Sequence, residues 1–293
     1  MSIVKGNLLL LLASVIWGTA FVAQTTGMGF VGPLTFTFAR FLLGALTILP
    51  LLLYFEKNIF LKTITEPKSA ILIITTGFAL GFGATIQQYA LLFTDVSNAA
   101  FITALYVPIV PLILRIILKK NLHVSIWFAV AICLIGLYLL TSESSELVIS
   151  FSDILLIIAA IFFAIQIIMN DIYIRKNKSP FTFAFSQYSI VFIFTFFLAI
   201  TLEKPTINNI SIEFFEIFYA GSLSVGIAYT LQILGQNKTS PAPAAIILSM
   251  EAVFASIAGW IIINQSMSLM KIFGCFLIFI GIIIAQIFPL MKK

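Results

Sequence analysis

Charge is scarce in this sequence. Only 9% of its 293 residues are Asp, Glu, Lys or Arg, while 61% are hydrophobic, and a water-soluble globular domain does not show that balance. Histidine is nearly missing as well. The single His123, at a cytoplasmic helix edge, makes neither a histidine metal cluster nor a conventional Ser-His-Asp relay, and no metal or cofactor is expected. The two cysteines, Cys133 and Cys275, both lie inside apolar runs and read as small packing residues rather than a disulfide. There is no GxxxxGK[ST] phosphate loop, so this chain carries no such site for ATP. No connecting stretch is long enough to fold as a separate soluble domain.

What the chain has in abundance is apolar runs of about 20 residues, each about the length a helix needs to cross the hydrocarbon core. Ten spans are predicted, at 6–25, 33–55, 70–93, 97–114, 124–141, 152–174, 180–202, 213–236, 239–263 and 270–290. The first follows Lys5, lacks a convincing small-x-small cleavage site and is trailed closely by a second, so it reads as an uncleaved helix. Short loops between long runs predict antiparallel neighbours in a compact all-α bundle. If the N-terminus is cytoplasmic, that side collects 13 of the 16 basic residues: Lys5, Lys57, Lys62, Lys68, Arg115, Lys119, Lys120, Arg175, Lys176, Lys178, Lys238, Lys292 and Lys293. Both termini are therefore expected in the cytoplasm, and the protein in the cell (inner) membrane. The far side gathers Asp95, Glu143, Glu146, Asp153, Glu203, Glu213 and Glu216. The net charge of +5 is accounted for by loops beside anionic lipid and calls for no nucleic acid.

The sequence also repeats. Adding 145 carries Gly81, Thr85, Gln87, Thr94, Ala99, Ala100 and Gly136 onto Gly226, Thr230, Gln232, Thr239, Ala244, Ala245 and Gly281. Adding 147 carries Pro33, Thr35, Phe36 and Phe38 onto Pro180, Thr182, Phe183 and Phe185. The expectation is two five-helix halves, residues 1–146 and 147–293, and an odd number of spans per half turns the second upside down. Inverted halves with a site near the midplane are the architecture of secondary transporters.

Several short motifs fall in a telling order: Trp17-Gly18 followed by Phe21, then Arg40-Phe41, Ser152-Asp153 before Ala159-Ala160, Ser240-Pro241-Ala242, and Leu248-Ser249-Met250-Glu251 before Val253-Phe254-Ala255. Gly274 and Gly281 close the series. In that order and spacing the chain resembles the EamA-type transporters of the drug/metabolite transporter superfamily along its whole length. The resemblance implies ten helices in two halves and secondary transport of small metabolites, often export, through a central cavity.

Two formal charges fall well inside apolar runs. Glu251 lies about 18 Å into its helix and Arg40 about 10 Å into its own, at depths that differ by only a few ångströms. An ionisable group at membrane depth is costly and marks function by default. Two readings stay open: a structural ion pair or an outward-snorkelling arginine, or a site in which Glu251 takes protons or a substrate amine and Arg40 a substrate carboxylate. The repeat sets Gln187 opposite Arg40 and Tyr106 opposite Glu251, so the charges are kept in one member of each pair. Gln87 and Gln232 are repeat-related amides that either bond neighbouring helices or line a wet cavity. Trp17 is too deep for an interfacial belt and reads as a cavity wall or as core. Pro108 and Pro111 should bend their helix, as a static kink or a gate. Gly77 and Gly81 form a small-xxx-small packing step.

The candidate substrate-binding set is thus Trp17, Arg40, Gln87, Tyr106, Gln187, Tyr229, Gln232 and Glu251, with Glu251 the proton-coupling candidate and Pro108 and Pro111 the gating candidates. The partners expected are a small-molecule substrate and the bilayer, for a chain acting as a monomer. The function expected is secondary or facilitative transport, export above all, of amino acids and related amphiphilic compounds. Import or exchange of nucleotide-derived metabolites, such as nucleotide sugars or S-adenosylmethionine, is the alternative. A membrane enzyme acting on lipids or isoprenoids would need clustered acids, histidines or a metal, and no such cluster is visible.

Overall fold

The structure, a computed structural model, describes residues 2–141 and 150–291. Glu143, Glu146, Lys292, Lys293 and the expected junction between the halves at 146/147 lie outside the described residues. The rest is helical, with no strand among the described residues. In chain order the helices are α1 (Ile3–Thr26), α2 (Pro33–Phe55), α3 (Lys57–Thr65), α4 (Pro67–Ala90), α5 (Val96–Thr103), α6 (Tyr106–Ile116), α7 (Val124–Thr141) and α8 (Phe151–Lys176). There follow α9 (Pro180–Leu202), α10 (Ile207–Ile212), α11 (Phe214–Phe218), a π-helical stretch (Tyr219–Tyr229), α12 (Thr230–Gln236), α13 (Pro241–Leu248), α14 (Met250–Ile263) and α15 (Leu269–Met291).

Starts are written in the sequence. Pro33, Pro67, Pro180 and Pro241 each open a helix, at the position where a missing N–H costs nothing. Helix α8 is opened by a capping box, in which Ser150 and Asp153 satisfy each other's backbone amides.

Two expected spans are broken in the middle. In the fourth, Pro108 offers no N–H to the carbonyl of Ala104, which accepts instead from Val107 N at 2.9 Å, and the chain turns between α5 and α6. In the ninth, Ser249 bonds back to the carbonyl of Ile246 at 2.8 Å, and its own carbonyl is taken by Ala252 N at 3.1 Å, one residue early. The breaks at Ala104 and Ser249 are 145 residues apart. The eighth span carries the π-helical stretch, and the expected loop at 57–65 is the short helix α3, none of whose residues is buried.

Among the described residues, eight helical segments are long and apolar enough to cross a membrane, and Val124–Leu139 and Leu269–Ala285 are shorter apolar helices. The distribution of side chains is inverted relative to a soluble protein. Phe128, Phe197, Phe273 and Phe276 are exposed, while Gln24, Arg40, Gln87, Gln88, Gln166, Asn170, Gln187, Gln232, Gln236 and Glu251 are buried. Apolar side chains outside and polar ones gathered inside are what a bilayer imposes, and the chain is a multi-pass membrane protein.

The broadest helix contacts are α7 with α15 and α2 with α9. Close approach depends on glycine. A Cβ on Gly44 of α2 would come within 2.3 Å of Val225 Cγ1 in the π-helical stretch, and one on Gly18 of α1 within 2.4 Å of Phe254 Cβ in α14.

Candidate functional site

Breaking two helices in mid-bundle places the residue after each break at the centre. Tyr106 opens α6 and Glu251 lies in the first turn of α14, and the Tyr106 hydroxyl donates to Glu251 Oε1 at 2.8 Å. Both side chains are buried. They are 145 residues apart, so two repeat-equivalent positions meet each other directly.

Around this pair lies a cavity whose space, counted together with its opening to solvent, is about 460 Å³. Helix α1 supplies Trp17, Phe21 and Gln24, and α2 supplies Arg40. Gln87, Thr103 and Tyr106 come from α4, α5 and α6, and Phe163, Gln166 and Ile167 from α8. Ser224, Tyr229, Gln232, Leu248 and Glu251 complete it from the π-helical stretch, α12, α13 and α14. Among the described residues, the expected spans α7, α9 and α15 contribute nothing to this wall.

Arg40 is 4% exposed, yet no carboxylate holds it. Its Nη1 donates to Gln24 Oε1 and its Nη2 reaches the carbonyl of Ala84 at 3.4 Å, while Nε has no partner. The ring centroids of Phe41 and Phe36 stand 5.4 and 5.9 Å from Arg40 Cζ and share some of its charge. Among the described residues Arg40 and Glu251 form no ion pair with each other, and the ion pair present is Arg175 with Asp171. The cavity therefore contains a guanidinium and a carboxyl group that are each held by neutral groups and do not pair with each other.

The amides sort differently. Gln166 and Gln232 bond each other twice, at 3.0 and 3.1 Å, and one turn on Asn170 and Gln236 pair at 3.3 Å, fastening α8 to α12. Gln87 Nε2 donates to Thr103 Oγ1 at 3.0 Å. Trp17 Nε1 donates to the Ser224 carbonyl at 3.2 Å and its ring lies 4.6 Å from that of Tyr229, which makes one continuous aromatic wall. The wide turn of a π-helix recurs at functional sites, and here it holds Ser224 and Tyr229 against the cavity.

The structure thus gathers Trp17, Arg40, Gln87, Tyr106, Tyr229, Gln232 and Glu251 on one cavity. Gln187 is not among them. It is buried between helices, with Nε2 bonded to the carbonyl of Phe183 at 3.4 Å and Oε1 without a partner. Among the described residues Pro108 and Pro111 are likewise not part of this wall. Sequence reasoning missed Gln24, Gln166, Thr103 and Ser224. Gln24 and Gln166 each stand as an amide in an apolar run, whereas Gln87 and Gln232 were singled out because the 145-residue repeat relates them.

Compared with known proteins, the chain matches the EamA-like transporter family over residues 4–142 and 150–286. It is 29% identical over 279 residues to a protein of Archaeoglobus fulgidus described as an uncharacterized transporter, covering 95% of this chain and 84% of that one. An S-adenosylmethionine uptake transporter of Rickettsia prowazekii is 28% identical over 235 residues, covering 78% of this chain and 74% of that one. A solved crystal structure aligns with a TM-score of 0.77 at 16% identity, over 98% of both chains, which is a likeness of fold.

Proposed function

Because the chain belongs to the EamA-like transporter family, we propose that it is a secondary active or facilitative transporter of the inner membrane that works by alternating access around the Arg40–Glu251 cavity. Its ten spans form two inverted halves, 1–146 and 147–293, with both termini in the cytoplasm. It exports small amphiphilic metabolites, amino acids and their relatives foremost, and does so as a monomer in the bilayer.

The observation that carries this reading is the pair of separately held charges. A guanidinium supported by Gln24 and a carboxyl group supported by Tyr106 face one cavity without neutralising each other. A compound bearing both a carboxylate and an amine would satisfy both at once. The aromatic wall of Trp17 and Tyr229 would receive its apolar part.

A second reading, uptake of S-adenosylmethionine or a related nucleotide-derived metabolite, is favoured by the Rickettsia relative. One experiment separates the two. Medium and cytosol of cells overproducing the protein are profiled by mass spectrometry against cells producing Glu251→Ala at equal membrane abundance. Amino acids rising outside, only with the intact chain, are the expected result. A nucleotide-derived compound accumulating inside would replace export by uptake, and identical profiles would remove Glu251 from the mechanism.

A further inference from the structure

Helices α2 and α9 run antiparallel, and each ends in a glutamate that caps the other. Glu203, just past α9, accepts from the amides of Leu34 at 2.9 Å and Thr35 at 2.7 Å in the first turn of α2. Glu56, just past α2, accepts from the amides of Phe181 at 3.2 Å and Thr182 at 2.7 Å in the first turn of α9. Every member of one clamp is 147 residues from its counterpart in the other, the spacing that relates Pro33 to Pro180. First-turn amides have no partner within their own helix, so each carboxylate satisfies two groups that would otherwise be orphaned, and adds its charge to the positive end of the helix. Gly32 makes room for this: a Cβ there would fall 2.3 Å from Glu203 Cδ. With 23 residues in each helix the clamps stand about 34 Å apart, one at each end of the bundle.

A second interface is reciprocal in the same way. A Cβ on Gly136 of α7 would meet the Gly274 carbonyl at 2.7 Å in α15, and one on Gly281 of α15 would meet the Ala129 carbonyl at 3.1 Å in α7. Gly136 and Gly281 are 145 apart, as are Ala129 and Gly274.

Reciprocity limits what can move. In a carrier of two inverted halves, passing from one access state to the other exchanges the conformations of the halves, so a contact made in only one half must be broken in one half and formed in the other. A contact already present in both copies keeps its form throughout. Among the described residues the largest one-sided contact is α1 on α14, tight at Gly18, whose counterpart α8 on α6 is much less extensive.

We infer that α2 and α9, pinned at both membrane faces by Glu203 and Glu56, form with α7 and α15 a static frame, against which the α1–α14 and α6–α8 interfaces open in turn. This rests on the inverted-repeat transport reading above.

Hydrogen exchange by mass spectrometry on the full chain in lipid nanodiscs, with D2O as the sole probe, tests it. Because uncapped first-turn amides exchange fast, residues 34–35 and 181–182 report their clamps directly. Both are expected to exchange slowly, each with a single isotopic envelope. Glu203→Gln should speed exchange at 34–35 by about tenfold and leave 181–182 unchanged, and Glu56→Gln the reverse. In a chain with Cys133→Ala and Cys275→Ala, Phe55→Cys and Phe181→Cys, whose native rings stack at 5.6 Å, can be joined by a short bifunctional thiol reagent. That bridge should leave exchange in α1 and α14 unchanged. Fast or two-population exchange at either clamp in the unaltered chain, or altered exchange in α1 and α14 on bridging, would overturn the frame. None of these readings needs a substrate, so slow clamps in a protein that carries nothing would refute the transport reading by itself.

Discussion

At the scale of single residues the unusual feature is a buried arginine without an acid. A guanidinium taken out of water needs charge compensation, and Gln24, a carbonyl of α4 and two aromatic rings supply only part of it. A ligand carboxylate would supply the rest. Arg40→Lys keeps the charge but loses the planar fork, so transport of acids should fall about tenfold while transport of the corresponding amides changes little. Competition by acid and amide pairs in vesicles measures this, and equal losses would remove the carboxylate from Arg40. Glu251 is held by one donor, the Tyr106 hydroxyl. If it carries the coupling proton, Glu251→Gln should make flux indifferent to an imposed pH gradient, whereas Tyr106→Phe should keep the response. Loss of gradient sensitivity in Tyr106→Phe alone would move the coupling role to the tyrosine. Both charges were legible in the sequence, because an ionisable residue in an apolar run is conspicuous. Of their supports, Gln24 was missed and Tyr106 was singled out without its bond to Glu251, because both reach the charges only through the packing of α1 and α6.

At the scale of elements, close helix contact at glycine sets the local cost of change. Gly44→Ala would drive a methyl group into Val225, and destabilisation of about 1–3 kcal/mol follows from such overpacking. Val225→Ala in the same chain should recover part of the loss, as a shift in thermal midpoint of the detergent-solubilised protein would record; additive losses would mean that the two side chains do not meet. The Gln166–Gln232 pair makes a second test. Leucine at either position alone leaves a buried amide unpaired, so each single variant should be less stable than the double variant, with a coupling of about 1 kcal/mol in a double-mutant cycle. Helix limits were read well where proline writes them: the expected 33–55 and 180–202 coincide with α2 and α9. The breaks at Ala104 and Ser249 and the π-helical stretch were not read, since hydropathy does not register which carbonyl an amide chooses. Pro108 was recognised as a bend, but Ser249 has no proline to announce it.

At the scale of the whole molecule, Tyr106 meets its repeat equivalent Glu251 at the centre, while the Glu203 and Glu56 clamps, related by 147 residues, stand at opposite ends of the bundle. The repeat was visible in Gln, Pro, Thr and Gly, residues whose placement composition does not explain. That equivalent positions would touch was beyond the sequence, because offsets along a chain carry no information about an axis in space. Gln187 shows the same limit. It is the repeat counterpart of Arg40, yet it is packed between helices, away from the cavity wall.

The central claim is that the cavity between Arg40 and Glu251 is where substrate binds. Its most direct test is counterflow into liposomes containing the purified protein, with a mixture of radiolabelled α-amino acids and, separately, labelled S-adenosylmethionine. The account predicts exchange of at least one of these by the intact chain and its loss in Arg40→Ala and in Glu251→Ala, with all three proteins eluting as the same folded species. Exchange that survives both substitutions would contradict it.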